Sequence, residues 1–328
     1  MSTLIDVSAA AHRLLAADDV LILTHQYPDG DTLGSGFALC RALRQKGKRA
    51  RVVCGDVIPE KYDFLMEGLD DESFEPQFIC AVDVADKALL GSLCEPYGDR
   101  VDLCIDHHAS NVQYATELLL KADYAAAAMA VTEVLKAMDV VFDQAIAEAI
   151  YTGIATDSGC FKYSNADAYT HRMAAEMLDH GVRFEMINRT MFDIKSRARV
   201  ALEREALAGM RFFYGGRVAV MPITLGMVEN SGARENDMEG LAPIPRQIEG
   251  VWVGVMLREK ADGSYKVSVR TGNHADASAI CQPLGGGGHV RAAGCTLDGP
   301  LDAAIERMLQ MIADTIPRVQ EKPRQATR

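Results

Sequence analysis

Apolar and polar positions along this chain follow two rhythms, and the change between them falls near residue 215. In the first half, short, mainly apolar runs recur at 20–24, 51–54, 78–82 and 101–105. Each is too short for a helix, and the intervals between them have helix-like or loop-like sequence. Runs of this kind suit strands buried on both faces, and so predict a mostly parallel sheet flanked by helices. The run at 20–24 hands over to His25-Gln26-Tyr27-Pro28-Asp29-Gly30-Asp31. Apolar residues then return at helical spacing through Leu33, Phe37, Leu39, Ala42 and Leu43, so strand, loop and helix follow one another. Further helices are expected at 125–138, 144–152 and 168–179, the last stopped by Gly181.

Residues 196–211 are rich in helix formers and lack proline, which predicts a helix connecting two domains. Beyond Gly215-Gly216 the stretches 217–223, 251–257 and 265–270 read as strands, the last two joined by a turn at Asp262-Gly263. Residues 301–316 offer an amphipathic helix. The expected fold is therefore α/β, with a first domain over 1–195, the connecting helix over 196–211, a smaller α/β domain over 212–317 and a flexible tail over 318–328.

Composition narrows the class. A chain of 328 residues has room for about two domains at roughly 150 residues each. Hydrophobic residues at 48% and charged residues at 24% fit a globular protein and exclude a disordered chain or a disulfide-stapled miniprotein. The net charge of −12 speaks against coating long duplex DNA, yet a metal ion or a few arginines can reverse the potential within one cleft, so small phosphorylated ligands stay open. The eight cysteines form no C-x-x-C pair and several lie in apolar runs, which suits buried, reduced thiols and a cytoplasmic setting. Asp6, His12, Arg13, Asp18 and Asp19 interrupt any leader-like pattern, and no apolar stretch approaches the ~18 residues of a membrane span.

Candidate chemistry gathers at the ends of the predicted strands. His25, Asp29 and Asp31 share one loop, Asp83 closes the run at 78–82, Asp106-His107-His108 closes the run at 101–105, and Asp157 lies in Thr156-Asp157-Ser158-Gly159. The first loop by itself reads equally as an Asx-type turn with an incidental histidine. Acids recurring at several strand ends favour a shared cation, because a carboxylate placed after a buried strand is costly unless something compensates its charge. Oxygen donors with imidazoles suit Mn²⁺ or Mg²⁺, and the set is too large for one tetrahedral zinc. Two cations about 3.5 to 4 Å apart would bind a phosphoryl oxygen and activate water, which predicts phosphoester hydrolysis with a spare imidazole as proton donor.

In the second half, Gly285-Gly286-Gly287-Gly288-His289-Val290-Arg291 can bring backbone amides, an imidazole and a guanidinium to an anion, or can be a flexible turn. Arg270 can join the same pocket by gripping a phosphate, or can be a surface residue. His12, His171, His180 and Trp252 are expected to be structural, Trp252 in the core.

Together these residues resemble the DHH phosphoesterase family, named for the run at Asp106-His107-His108, and the resemblance extends over nearly the whole chain. His25-x-x-x-Asp29-Gly30-Asp31 with Gly34-Ser35 is similar to the first family motif, Val82-Asp83 to the second, Asp106-His107-His108 to the third and Thr156-Asp157-Ser158-Gly159 to the fourth. The stretch 285–294 resembles the signature of the accompanying DHHA1 domain. The resemblance implies a DHH domain followed by a DHHA1 domain, and an enzyme of the stand-alone oligoribonuclease and pAp phosphatase type. Such an enzyme uses Mn²⁺, with Mg²⁺ as second candidate, to cleave short RNAs to mononucleotides and to remove the 3′-phosphate of pAp. Carried across by position, His25 and Asp29 would bind one metal, Asp31 and His107 the other, with Asp83 bridging and Asp157 completing the set. Asp106 would orient ligands and His108 would approach the scissile phosphate. Arg270, Gly286, Gly287, Gly288, His289 and Arg291 would anchor the substrate's terminal phosphate or base.

The sequence departs from the pattern at Gln26-Tyr27, where Asn often precedes Pro, and at Val269-Arg270-Thr271, where Leu-Arg-Ser is common; both bear on substrate preference. The resemblance leaves a cyclic or linear dinucleotide phosphodiesterase as an alternative. It also leaves a RecJ-like single-strand exonuclease, for which an aromatic content of 6% offers few stacking platforms. A DHH-type pyrophosphatase would carry a different second domain. From another class, the chain could be a nucleotide-binding regulator with low turnover. The expected partners are short RNA, pAp or dinucleotides, with no long duplex DNA and no membrane, acting on a monomer or homodimer.

Overall fold

In the computed structural model, which describes residues 2–70, 72–238 and 240–320, the chain divides into two units, Met1–Ile194 and Lys195–Arg328. The first unit has strands β1 (Thr3–Leu4), β2 (Val20–Thr24), β3 (Ala50–Cys54), β4 (Phe78–Val82), β5 (Leu103–Asp106) and β6 (Glu117–Leu120). Its helices are α1 (Val7–Ala16), α2 (Gly30–Gln45), the one-turn α3 (Asp63–Met66) and α4 (Cys94–Tyr97), α5 (Ala127–Ala137), α6 (Gln144–Asp157), α7 (Ala168–Asp179) and α8 (Phe184–Asn188). The strand order is β1-β6-β5-β4-β2-β3, and every neighbouring pair is parallel.

The apolar runs form strands because alternate residues find a core on each face. Val20 and Ile22 pack with Leu33, Phe37, Val131 and Ile150, while Leu21 and Leu23 pack with Ile79, Leu90, Cys104 and Leu118 on the other side. Strands β5, β4 and β2 are neighbours, so the segments that leave their carboxyl ends lie side by side. The chain runs from β2 outward to β3 and then back to β4 on the other flank of β2. That reversal opens a crevice at the carboxyl ends of β2 and β4, where open α/β sheets bind ligands.

Helix α6 continues to Asp157, beyond the expected end at 152, because its Gly153 faces α2 instead of breaking the helix. A methyl group at Gly153 would come 2.6 Å from Ala128 Cβ and 2.7 Å from Asp31 Oδ1, and one at Gly34 would collide with the Ala149 carbonyl oxygen. The two helix backbones therefore meet almost directly.

The second unit has strands β7 (Arg211–Phe213), β8 (Val218–Ile223), β9 (Val253–Glu259), β10 (Tyr265–Thr271), β11 (Gly287–His289) and β12 (Ala292–Leu297), and helices α9 (Arg197–Ala208), α10 (Leu225–Ser231), α11 (Ala277–Cys281) and α12 (Leu301–Thr315). The order is β11-β12-β10-β9-β8-β7, antiparallel except for the parallel pair β8 and β9. Helix α9, expected as a connector, is built into this unit: Leu202 and Ala206 are buried with Met221, Ile223 and Met256 on one face of the sheet. Ile305, Met308 and Ile312 of α12 cover the other face. The expected tail is ordered at its start, since Pro317–Gln320 forms a turn that buries Val319; its remainder, 321–328, lies outside the described residues. Among those residues no helix is long and apolar enough to cross a membrane.

Candidate metal centre

Asp29 ends the loop after β2 as the N-cap of α2, its Oδ1 accepting from the amides of Asp31 (3.0 Å) and Thr32 (3.1 Å). Thr32, in the first turn of α2, accepts from the His25 amide at 3.3 Å and donates to the Val82 carbonyl at 3.0 Å, so it ties the end of β2 to the end of β4. Asp31 is fully buried and receives the amides of Ala127 (2.6 Å) and Ala128 (2.9 Å) from the start of α5.

Asp83 leaves β4 with φ of +59°, in the left-handed region, and its side chain is nearly inaccessible. Such a conformation at a non-glycine residue costs about 1–3 kcal/mol and persists only where its surroundings impose it. Its two oxygens face different partners: Oδ2 lies 3.7 Å from His25 Nε2, while Oδ1 lies 3.5 Å from both His107 Nε2 and His108 Nδ1. His25 Nε2 is also 3.6 Å from Asp29 Oδ1, and His107 Nε2 is 3.3 Å from Asp157 Oδ2 and 3.8 Å from Asp31 Oδ2. Three overlapping groups result, namely His25 with Asp29 and Asp83, Asp31 with His107 and Asp157, and Asp83 with His107 and His108.

The donors fit a cation better than they fit one another. His25 Nδ1 donates to the Gln26 carbonyl at 2.8 Å and His107 Nδ1 to the Tyr124 carbonyl at 3.0 Å, which leaves each Nε2 lone pair turned toward the carboxylates. His107 Nε2 and Asp83 Oδ1 are buried and have no hydrogen-bond partner. Orphaned atoms of this kind are costly, and ligands about 2.1 Å from a shared ion stand roughly 3.0–3.5 Å apart, close to the gaps observed. Burial pushes Asp83 well above the usual carboxylate range, with repulsion from Asp31 adding to it. Burial, then Asp31 and Asp29, pushes Asp157 up to about 8. Without a cation the cluster thus retains protons that metal binding would displace.

Asp106 has a different environment. It is fully buried, and its oxygens receive the His107 amide at 2.8 Å, His108 Nδ1 at 2.8 Å and the Asn111 amide group at 2.6 Å. Burial would raise its pKa, but these donors outweigh burial and hold the carboxyl below its ordinary value. The Asp106 bond in turn lifts the half-exposed His108 to about 9 and leaves its Nε2 as the outward nitrogen.

A family model described as the DHH family N-terminal domain matches residues 19–154, and one described as the DHHA1 domain matches 215–317. The chain is 34% identical over 309 residues to the bifunctional oligoribonuclease and PAP phosphatase NrnA of Thermus thermophilus, an alignment covering 91% of this chain and 90% of that protein. The chain belongs to the DHH family. It is also 22% identical to the protein of the same name from Bacillus subtilis, over 85% of this chain and 90% of that one. Among solved structures it shares its fold with an exopolyphosphatase-related protein from Bacteroides fragilis (TM-score 0.86, 23% identity, covering 96% of this chain and 98% of that one). The fold is also that of RecJ from Thermus thermophilus in complex with Mn²⁺ (TM-score 0.58, 16% identity, 94% of this chain and 55% of that one).

In the DHHA1 domain the sequence-predicted residues have more varied surroundings. Arg270 and His289 both stand opposite Ala292, Arg270 from β10 and His289 from β11, so they share one cross-strand row with a small residue between them. The glycines form a hairpin. Gly285 and Gly286 donate their amides to Gln282 and Cys281, and Gly287–His289 pairs with β12 as an edge strand. Gly288, at φ of +143°, leaves no room for a Cβ, which would lie 2.5 Å from the Ala292 carbonyl. Arg291 donates to the carbonyls of Gly272 and Ala275 and to Asn273 Oδ1, and so braces the loop after β10. Trp252 packs at the border of the core, half-buried, with Arg217 over its ring and His274 stacked against it at 4.7 Å.

Sequence reasoning missed Asn111, Thr32 and the Tyr124 carbonyl, which position the cluster without any motif of their own. It also missed Arg246, which packs against Gly254 and Gly272 and whose Nε is buried without a partner. Cavity volume is no guide to this site. A cavity of about 460 Å³ lies at the far end of the α2 and α6 pair, lined by Arg41, Phe64, Glu67, Gln144, Ala145, Glu148 and Arg183, and it shares no residue with the cluster.

Proposed function

We propose that this chain is a metal-dependent phosphoesterase that hydrolyses short oligoribonucleotides to mononucleotides and removes the 3′-phosphate of pAp, the activities named for its Thermus and Bacillus relatives. The observation that carries this reading is the pair of buried, unpartnered atoms, Asp83 Oδ1 and His107 Nε2, facing each other across 3.5 Å. Two divalent ions, Mn²⁺ foremost and Mg²⁺ second, would be held by His25, Asp29 and Asp83 and by Asp31, Asp83, His107 and Asp157. When bound, such a pair supplies positive charge to phosphoryl oxygens and activates water.

The chain's own groups do the rest. Asp83 lends one oxygen to each side, and the Nδ1 bonds of His25 and His107 keep their Nε2 lone pairs in place. Asp106 positions His108, whose Nε2 hands a proton or hydrogen bond to the phosphoryl group or the leaving oxygen. Arg270 and His289 hold a second anionic group of the substrate, with the hairpin of Gly286, Gly287 and Gly288 and the brace from Arg291 keeping them in place. The net charge of −12 favours substrates of a few nucleotides over long polyanions. The eight free cysteines suit a reducing, cytoplasmic setting, and we take the protein to act as a monomer or homodimer.

The test is a comparison of kcat/KM with Mn²⁺ for pAp, an RNA series from dimer to decamer, and cyclic di-AMP. Release of mononucleotides, fastest from the shortest RNAs, together with phosphate release from pAp is the expected result. Tight nucleotide binding without release would favour the regulator, and a preference for cyclic di-AMP the dinucleotide phosphodiesterase.

A further inference from the structure

Tyr27 lies two residues from both His25 and Asp29, yet its own side chain takes no part in the cluster. The residue is 74% exposed and its φ is +54°. Both features run against stability. The left-handed conformation costs an L-residue other than glycine or asparagine about 1–2 kcal/mol, and an exposed aromatic gains nothing from burial. The backbone is nevertheless fixed on both sides: the Tyr27 amide donates to Asp56 Oδ2 at 2.9 Å, and the Gln26 amide to the Leu89 carbonyl at 2.7 Å. Those ties fix the main chain of the loop and leave the ring itself open to solvent.

We propose that Tyr27 is a base-stacking platform: the nucleobase of the nucleotide whose phosphate occupies the metal centre lies against its ring. The inference rests on the phosphoesterase reading above and extends it to the part of the substrate that does not react. Every base has a π-face, and stacking on an aromatic is worth about 1–3 kcal/mol per base, so such a platform tightens binding without selecting a sequence. It also accounts for a ring held outward in a backbone conformation that asparagine would adopt more cheaply.

The test uses the full chain and its Tyr27→Phe and Tyr27→Asn variants, since asparagine suits the backbone and removes the ring. The probe is 2-aminopurine riboside 5′-monophosphate, whose fluorescence is quenched on stacking, titrated in the presence of Mn²⁺. Strong quenching by the parent and by Tyr27→Phe, with loss of quenching and about ten-fold weaker binding in Tyr27→Asn, is expected. In parallel, the ratio of kcat/KM for an adenine dinucleotide to that for the same dinucleotide lacking its bases should fall about ten-fold in Tyr27→Asn and hold in Tyr27→Phe. Equal quenching and an equal ratio in Tyr27→Asn and the parent would overturn the proposal. If the parent hydrolyses neither dinucleotide the functional reading fails, while the quenching comparison still decides the role of Tyr27.

Discussion

The strand-end cluster of the first unit and the glycine-rich hairpin of the second are both motif-bearing, yet they treat polar atoms in opposite ways. In the cluster, acids and imidazoles approach within 3.3 to 3.8 Å of one another and two of their atoms are buried without partners. In the hairpin, most motif atoms are already engaged: glycine amides close turns, and Arg291 braces a neighbouring loop. The first arrangement is incomplete without a ligand, whereas the second would stand without one. A motif therefore carries more functional weight where the structure leaves its donors and acceptors unsatisfied.

The sharpest attack on that contrast is Asp83→Ala. Removing the shared carboxylate should cost at least about 10³-fold in kcat/KM, given the several kcal/mol that bound metal supplies to a phosphoryl transition state. Because it also removes a buried, unpartnered and repelled acid, the metal-free thermal midpoint should hold or rise. A collapse of that midpoint would mean that Asp83 is structural. Next, Asp106→Asn should lower kcat by about 10²–10⁴ with a smaller change in KM and an altered pH profile, as expected if His108 loses its orientation; an unchanged profile would detach His108 from the proton transfer.

In the hairpin, Arg270→Ala and His289→Ala should raise KM about ten-fold with kcat nearly kept, whereas Arg291→Ala should act mainly on thermal stability. If all three behave alike, the distinction between gripping and bracing residues fails. Gly288→Ala should cost about 1–3 kcal/mol by denaturant unfolding, from its backbone conformation and the nearby Ala292 carbonyl.

Glu148 supplies the internal control, as a buried acid of the first unit whose needs are met. It accepts from the amide and guanidinium of Arg183 and from Gln144. Burial would raise its pKa, but those donors hold it below the ordinary glutamate value of 4.5. A depressed folded-state pKa gives stability that is present above that value and lost as pH falls through the lower one. Glu148→Gln should therefore cost about 1–2 kcal/mol at pH 7, reduced by the exposure of Arg183, and little at pH 3. Equal losses at both pH values would mean that packing, not charge, matters there.

How much of this was legible in the sequence depended on whether a signal was local. Strands β2 and β4 were readable because both faces are buried and the run is unbroken. Strand β1 has two exposed residues and β6 lies within a leucine run that suits a helix as well, so neither announced itself. The six proposed metal ligands could be named from their place at strand ends, but that Asp157 meets His107 and Asp31 is a tertiary fact set by the α2 and α6 crossing. The hairpin was not legible for the opposite reason: glycine suits an anion cradle and a close backbone crossing alike, and the pairing with β12 is a tertiary fact. Asn111 and Arg246 carry no periodicity or motif at all.

The direct backbone contact of α2 with α6 turns those helices into a ruler. Gly34 and Gly153 leave no compressible side chain between them, so the span from Asp31 to Asp157 is fixed by main-chain geometry and not by rotamers. Ion selectivity could thus drift through substitutions that never touch a ligand, because one added methyl at that crossing resizes the opening into which a cation must fit.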